Sequence, residues 1–241
     1  MIQIIDLHKS FAGQPVLQGV NLTIRSGEVT VILGASGQGK TVLLKHMIGH
    51  LRPDSGRVLV DGVDITNLED TTLNEVRKCF GMLFQSGALF DSLNVEENVA
   101  FPLKEHTDLS AEVIGRKVRE KLKLVGLERV EQKMPSELSG GMRKRVGLAR
   151  AIALEPKIIL YDEPTTGLDP ISTAAINHLI VEMQKKLRVT SVIISHDIES
   201  TFEIADHVAM LYQGMIVEEG NAEKFRASAH PYVREFLAHK K

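Results

Sequence analysis

Short apolar runs punctuate this chain and alternate with stretches whose apolar residues recur at helical spacing. The runs at 28–33, 157–161 and 190–195 are dominated by Val, Ile and Leu. A strand covered on both faces reads this way, because neither side of it meets water. Residues 1–33 and 57–65 read as strands, with turn signals at Ser26-Gly27, residues 52–56 and Asp61-Gly62. Residues 42–48 have helical character, and residues 93–154 are mostly helical, interrupting the strand series between Phe84 and Ile158. Within them, Val113, Ile114, Val118, Leu122 and Val125 recur at helical spacing. Asp169 and Pro170 open a further helix, with Asp as cap and Pro at the first helical position. Its stripe is Ile176, Leu179, Ile180, Met183 and Leu187. Both stripes read as core packing. Strands alternating with helices imply an α/β chain built on a mainly parallel sheet.

Chemistry enters at the strand ends. Residues 34–41, Gly-Ala-Ser-Gly-Gln-Gly-Lys-Thr, fit G-x-x-x-x-G-K-[ST] at every fixed position. The segment follows a strand and opens a helix. Glycines there let backbone N–H groups point inward, and the helix end adds partial positive charge, so the segment is an anion trap. Lys40 would reach the β- and γ-phosphates of a nucleotide, and Thr41 would offer its hydroxyl to Mg²⁺. Asp162 ends the run at 157–161, where ligands sit in open α/β sheets. It would hold Mg²⁺ through water, and Glu163 beside it could polarise an attacking water.

A second phosphate-binding segment, Leu138-Ser139-Gly140-Gly141-Met142, begins like a helix, with Ser139 as the cap and a helix expected over 142–154. Arg143, Lys144 and Arg145 fall in its first turn, where cations oppose the helix dipole unless an anion is near. They read as a solvated basic face. His196 follows the run at 190–195, on the same sheet edge as Asp162, and could touch a γ-phosphate or a water. The other histidines show no pairing or metal spacing.

Composition narrows the classes. The 241 residues suffice for one large domain with a substantial core. Lys and Arg number 29 against 31 Asp and Glu, so no basic excess points to nucleic acid. One cysteine, Cys79, allows no internal disulfide and suits a reducing cytosol. The first residues lack the basic and apolar regions of a signal peptide. No apolar run approaches the roughly 20 residues that span a bilayer, so any pore would come from other chains.

Together these motifs resemble the nucleotide-binding domain of ABC transporters over almost the whole chain. The match takes in the P-loop at 34–41, the signature at 138–142, Asp162 with Glu163, the loop Gly167-Leu168-Asp169-Pro170, His196, and Gln85 within Met82-Leu83-Phe84-Gln85. The resemblance implies a P-loop NTPase (RecA-like) core with an N-terminal antiparallel β-subdomain and an inserted α-helical subdomain. The chain would be one domain, with the β-subdomain and core at about 1–86 and 155–241 and the insert at about 87–154. ATP would contact Phe11, which matches the aromatic that stacks on adenine, and Gly34, Ala35, Ser36, Gly37, Gln38, Gly39, Lys40, Thr41 and Val42. Mg²⁺ would take Thr41, Gln85 and Asp162, and Glu163, His196 and Gln85 would serve catalysis. In the family two copies pack head to tail, so Ser139, Gly140, Gly141 and Met142 would bind ATP held by the partner's Lys40. Asp169 would lie in the loop that crosses the interface. Met142 departs from the usual Gln, which removes a polar side chain but leaves Ser139 and the glycine N–H groups.

A narrower resemblance runs through residues 82–90, 98–107 and 134–142, which look like the ATPase subunit of Mla/Mce-type lipid transporters. It implies phospholipid movement between bacterial membranes and a peripheral place on the cytoplasmic side of the inner membrane. The implied partners are permease subunits, a periplasmic Mce-type lipid-binding subunit and a small regulatory subunit, for which residues 230–241 are a candidate contact. Phe90, Leu93, Val95 and Phe101 are candidates for a groove that receives the permease. Three other readings compete: an ABC importer or exporter with another cargo, a DNA-repair or ribosome-associated ATPase, and a P-loop nucleotide kinase. The compact insert and single P-loop count against the second, and the segment at 138–142 against the third.

Overall fold

A computed structural model describes residues 1–238. The chain opens with β1 (Ile2–Phe11) and β2 (Gln14–Ile24), an antiparallel hairpin whose turn uses Ala12 and Gly13, both at positive φ. Later in the chain, β4 (Ser55–Val60) and β5 (Val63–Asp64) join it, in the order β2-β1-β4-β5. The second sheet holds β3 (Val29–Leu33), β6 (Phe80–Leu83), β7 (Ile158–Asp162), β8 (Thr190–Ser195), β9 (His207–Tyr212) and β10 (Met215–Gly220). Its order is β10-β9-β3-β8-β7-β6, parallel except for β10. The mainly parallel sheet expected from the alternation of runs is therefore present, beside an antiparallel N-terminal sheet.

Its strands look uniformly apolar in sequence because they serve two cores. Val29, Val31 and Leu33 of β3 enter one cluster, and Ile32 enters the other. β7 divides in the same way, with Ile159 and Tyr161 on one face and Ile158 and Leu160 on the opposite face. Successive side chains of a strand point to opposite faces, so a buried parallel strand is mostly apolar on both, with Thr30 of β3 and Thr190 and Ser191 of β8 among the buried polar exceptions. Each such side chain contributes about 1.5–3 kcal/mol on burial.

One core lies between the two sheets and α1 (Lys40–Met47). The other packs the second sheet against α3 (Val95–His106), α4 (Ala111–Leu124), α5 (Gly140–Ala151) and α6 (Pro170–Leu187). The expected stripes lie there: Ile114, Val118, Leu122 and Val125 on one side, and Ile176, Leu179, Ile180 and Met183 on the other. α5 begins two residues earlier than the sequence indicates and stops at Ala151, because Ser139 caps it directly. α2 (Asp70–Arg77), α7 (Ile198–Ile204), α8 (Ala222–Arg226) and α9 (Pro231–Ala238) complete the α-helices of the described residues, and a 3-10 turn spans Pro135–Glu137. No helix among them is long and apolar enough to cross a membrane.

Candidate nucleotide site

The P-loop leaves β3 at Gly34 and enters α1 at Lys40. Its glycines answer different demands. A Cβ on Gly34 would stand 2.5 Å from the Leu211 carbonyl oxygen, so the adjoining strand excludes any side chain. Gly37 and Gly39 lie at φ 81° and 94°, where L-residues are strained. Gly39 also abuts Val16 and Leu17 of β2, which seats the hairpin carrying Phe11 beside the loop. Phe11 is 43% exposed, with Lys9 Nζ 5.5 Å from its ring centroid, so one face remains open to stacking. Gln38 Oε1 accepts a hydrogen bond from the Gln213 backbone N–H at 2.7 Å, fastening the loop to the β9–β10 turn.

Lys40 is only 5% exposed. Its Nζ donates to the Gly34 carbonyl at 2.7 Å and to the Ala35 carbonyl at 2.9 Å, and lies 3.9 Å from Glu163 Oε1. Burial pulls the ammonium below the usual lysine pKa, against the opposing pull of Glu163 and Asp162. Thr41 Oγ1 donates to Asp162 Oδ1 at 3.4 Å. Burial first, and the negative Glu163 second, raise the Asp162 carboxyl above the usual carboxylate range. A cation here would relieve both effects.

The donor set suits Mg²⁺, a hard ion that takes one or two carboxylates and keeps the rest of its shell for water and phosphate oxygens. The described residues contain no cluster of three or more His, Cys, Asp or Glu able to hold a metal by themselves. Gln85 lies two residues past the end of β6, after Phe84, and is exposed. Its side chain hydrogen-bonds none of the described residues, so only its place in the chain ties it to the metal set.

Glu163 is constrained in both backbone and side chain. Its backbone is at φ 47°, in the left-handed region. Thr166 Oγ1 donates to Glu163 Oε2 at 2.9 Å, and His196 Nδ1 lies 3.3 Å from the same oxygen. Adjacency of β7 and β8 sets the second contact, since Asp162 pairs with Ile194 two residues before His196. Sequence reasoning missed Thr166; its only signal was a hydroxyl three residues beyond the carboxylate.

The signature segment lies elsewhere. Ser139 is exposed, and its Oγ accepts from the Met142 N–H at 3.2 Å, capping α5. A Cβ on Gly140 or Gly141 would meet Leu168 at 3.5 Å or Ser172 at 3.6 Å, ordinary contact distances, and neither residue has positive φ. Nothing in the fold of one chain requires glycine at these positions. Met142 packs partly on the core, and its N–H serves the cap. Asp169 caps α6, accepting from Ile171 and Ser172 N–H groups, both at 3.0 Å, and from Ser172 Oγ at 2.6 Å.

Two expectations need correction. Arg143, Lys144 and Arg145 do not form a solvated face. Arg143 donates to the Leu138 carbonyl at 2.8 Å and Arg145 to the Val125 carbonyl at 3.0 Å. Lys144 is buried and donates to the Gln85 and Glu163 carbonyls. Backbone carbonyls take the hydrogen bonds of all three, and Glu163 and Asp162 also favour the Lys144 charge. Val95 is fully buried core rather than groove. Phe90 and Phe101 are exposed, lie 4.8 Å apart between ring centroids, and line a groove of about 740 Å³ with Phe84, Met82, His50 and Arg150.

Residues 17–166 match the family model described as ABC transporter. Over 236 residues the chain is 47% identical to "Probable ribonucleotide transport ATP-binding protein mkl" of Mycobacterium tuberculosis (strain ATCC 25618 / H37Rv), covering 98% of this chain but 66% of that relative. The chain thus spans just under two thirds of the mycobacterial protein's length. It is 44% identical over 237 residues to "Intermembrane phospholipid transport system ATP-binding protein MlaF" of Escherichia coli (strain K12), covering 98% of this chain and 88% of that one. Among solved structures, cbiO1 from Clostridium perfringens, part of an ABC transporter complex, superimposes with a TM-score of 0.87 at 33% identity over 99% of this chain and 95% of that one. A dimeric ATP-binding cassette in a post-hydrolysis state, bound to ADP and Pi, gives 0.84 at 31% identity over 92% of this chain and 98% of that one. With the P-loop, the strand-end carboxylates and the capped signature helix in place, the chain belongs to the ABC transporter family as one of its ATP-binding cassettes.

Proposed function

We propose that this chain is the ATP-hydrolysing subunit of a transporter that moves phospholipid between bacterial membranes. The observation that carries the hydrolytic reading is the Glu163 carboxylate, held by Thr166 and His196 on one side and facing Lys40 on the other. In this reading the P-loop N–H groups and Lys40 bind the nucleotide's phosphates, and Phe11 stacks on its base. Glu163 takes the proton of the attacking water, and His196 steers the carboxylate. Thr41 and Asp162, with Gln85 as the remaining candidate ligand, would hold Mg²⁺, which supplies charge neutralisation on the phosphoryl oxygens. A positioned base contributes about 10²–10⁴-fold to such a reaction.

Two copies would share two nucleotides, each lying between one copy's Lys40 and the other's Ser139, Gly140 and Gly141. The unforced glycines of the signature support this, because their bare backbone serves an approach from outside the chain. The groove at Phe84, Phe90 and Phe101 would receive a helix of an integral membrane permease. The chain would lie peripherally on the cytoplasmic side of the inner membrane, with an Mce-type periplasmic subunit completing the path. A small regulatory subunit is a further candidate partner at 230–241, of which 239–241 lie outside the described residues. The phospholipid reading is supported by the MlaF relative, which this chain covers over most of its length. The mkl name favours a second cargo, a ribonucleotide.

The test of the chemistry is Glu163→Gln, which should retain ATP binding, form a stable ATP-bound dimer and hydrolyse ATP about 100-fold more slowly. Unchanged turnover in that variant would remove Glu163 from its role. Cargo is tested by co-purification with the permease, followed by assays of fluorescent phospholipid transfer and ribonucleotide uptake in reconstituted vesicles.

A further inference from the structure

α5 carries the signature at its N-terminus, yet one of its side chains reaches the opposite part of the site. Lys144 is 4% exposed, and its Nζ donates to two backbone carbonyls, that of Gln85 and, at 3.3 Å, that of Glu163. α5 holds the loop after β6 in other ways too. Arg150 donates to the Gly87 carbonyl at 3.0 Å and the Ala88 carbonyl at 2.8 Å. The backbones meet so closely that a Cβ on Gly147 would stand 3.0 Å from the Gly87 oxygen, and one on Gly87 3.0 Å from the Arg143 oxygen. Residues 85–88 and α5 are therefore one packed unit, and Lys144 extends that unit to Glu163.

The attachment point matters. Glu163 adopts a left-handed backbone, a conformation that costs a non-glycine residue free energy. Its N–H donates to the Ile194 carbonyl at 3.0 Å, and its C=O accepts from Lys144. Those two bonds restrain the backbone on either side of the Cα, and the backbone aims the carboxylate at Thr166 and His196. Burial lowers the Lys144 pKa, against a smaller opposing pull from Glu163 and Asp162, and both of its hydrogen-bond acceptors are neutral carbonyls, so the ammonium reads as retained for what it holds.

We propose that Lys144 is a positioning residue: through the Glu163 carbonyl it sets the direction of the Glu163 carboxylate and passes movements of α5 and the Gln85 loop to the hydrolytic site. The link rests on the reading of Glu163 as the base. It predicts that Lys144 acts on turnover, not on nucleotide affinity, and that its effect requires the Glu163 carboxylate.

The experiment is a double-mutant cycle in the assembled transporter, measuring kcat and KM for ATP in Lys144→Met, Lys144→Arg, Glu163→Gln and the double variant. Lys144→Met should lower kcat about 10- to 100-fold with KM within about threefold, and Lys144→Arg, which can still donate to both carbonyls, should recover most of the loss. On the Glu163→Gln background, Lys144→Met should cost less than about threefold more, since the group it positions has gone. A kcat for Lys144→Met within about twofold of the parent, or equal losses on both backgrounds, would overturn the proposal. So would a raised KM with kcat unchanged. Loss of ATP binding in a folded Lys144→Met protein would also overturn it; should that variant fail to fold, Lys144→Gln enters the same cycle, with the same split expected and the same results overturning it. A Glu163→Gln enzyme that turns over at the parent rate would instead overturn the base assignment on which the link rests.

Discussion

Asp162 sits beside a second carboxylate at the end of a buried strand, and both facts raise its pKa. The fold holds this proton more tightly than the unfolded chain does. Stability of the nucleotide-free protein therefore falls as pH rises from the ordinary aspartate value of 3.8 through the raised folded value, and the penalty persists at neutral pH. Asp162→Asn removes it. We expect the nucleotide-free variant to melt about 2–4 °C higher at pH 7, the shift that about 1 kcal/mol gives a chain of this size, while Mg²⁺-dependent hydrolysis is lost. Differential scanning calorimetry with parallel phosphate-release assays checks both. A lower melting temperature would mean that the Thr41 hydrogen bond outweighs the repulsion. At this scale Lys40, Thr41, Asp162 and Glu163 were legible from residue type and spacing. Thr166 and Lys144 were not, because their partners lie on other segments and, for Lys144, are backbone atoms that no residue type announces.

Among the elements, α3 is held by devices that only part of the sequence pattern reveals. Asn94 and Glu97 form a reciprocal capping box, with Asn94 Oδ1 accepting at 2.8 Å and Glu97 Oε2 at 2.9 Å. The N-x-x-E spacing announces it. Asn98 is different: it is fully buried, its Oδ1 accepts from the Phe90 N–H at 2.8 Å, and its Nδ2 donates to the carbonyls of Phe90, Leu93 and Asn94. One amide thus satisfies the backbone of the loop that presents Phe90 to the groove. Its only sequence signal was an asparagine next to apolar residues. Asn98→Ala would take the side-chain partner from the Phe90 N–H and the Leu93 carbonyl, while the Phe90 and Asn94 carbonyls keep the backbone N–H groups of Leu93 and residue 98, and we expect a loss of about 1–3 kcal/mol in urea unfolding of the isolated chain. Asn98→Asp keeps the acceptor for the Phe90 N–H but turns a buried carboxylate toward the carbonyl oxygens of Phe90, Leu93 and Asn94, so at neutral pH it should destabilise at least as much as alanine. A neutral Asn98→Ala would show that the loop satisfies itself by another route.

At the scale of the whole molecule, the two candidate phosphate-binding segments at 34–41 and 138–142 belong to different parts of the fold. The first follows the C-terminal end of β3, an interior strand of the second sheet, and the second begins a helix of the packed unit that includes α3 and α4. In a two-fold dimer the same pair of surfaces would meet twice, and each nucleotide would need both. Mixing Lys40→Ala chains with Ser139→Arg chains tests this arrangement. Neither variant alone should hydrolyse ATP, but the mixture should regain measurable turnover, because one of its two shared sites keeps an intact Lys40 and an intact Ser139. No recovery in a mixture shown to form heterodimers would place both segments on one chain's own nucleotide.

The sequence by itself determined the strand–loop–helix anion trap, the strand-end acids, the helix caps at Ser139 and Asp169, and the two-sided burial of the central strands. All of these arise from residues near one another in the chain or from a period of two or 3.6. Only the tertiary structure decided that His196 and Thr166 share one oxygen of Glu163, that Val95 is core while Phe90 and Phe101 stay exposed, and that the basic turn of α5 is spent on carbonyls. Those outcomes depend on which strands neighbour one another and how closely α5 approaches the loop after β6. Packing sets both over long separations in the chain, and local periodicity carries no information about either.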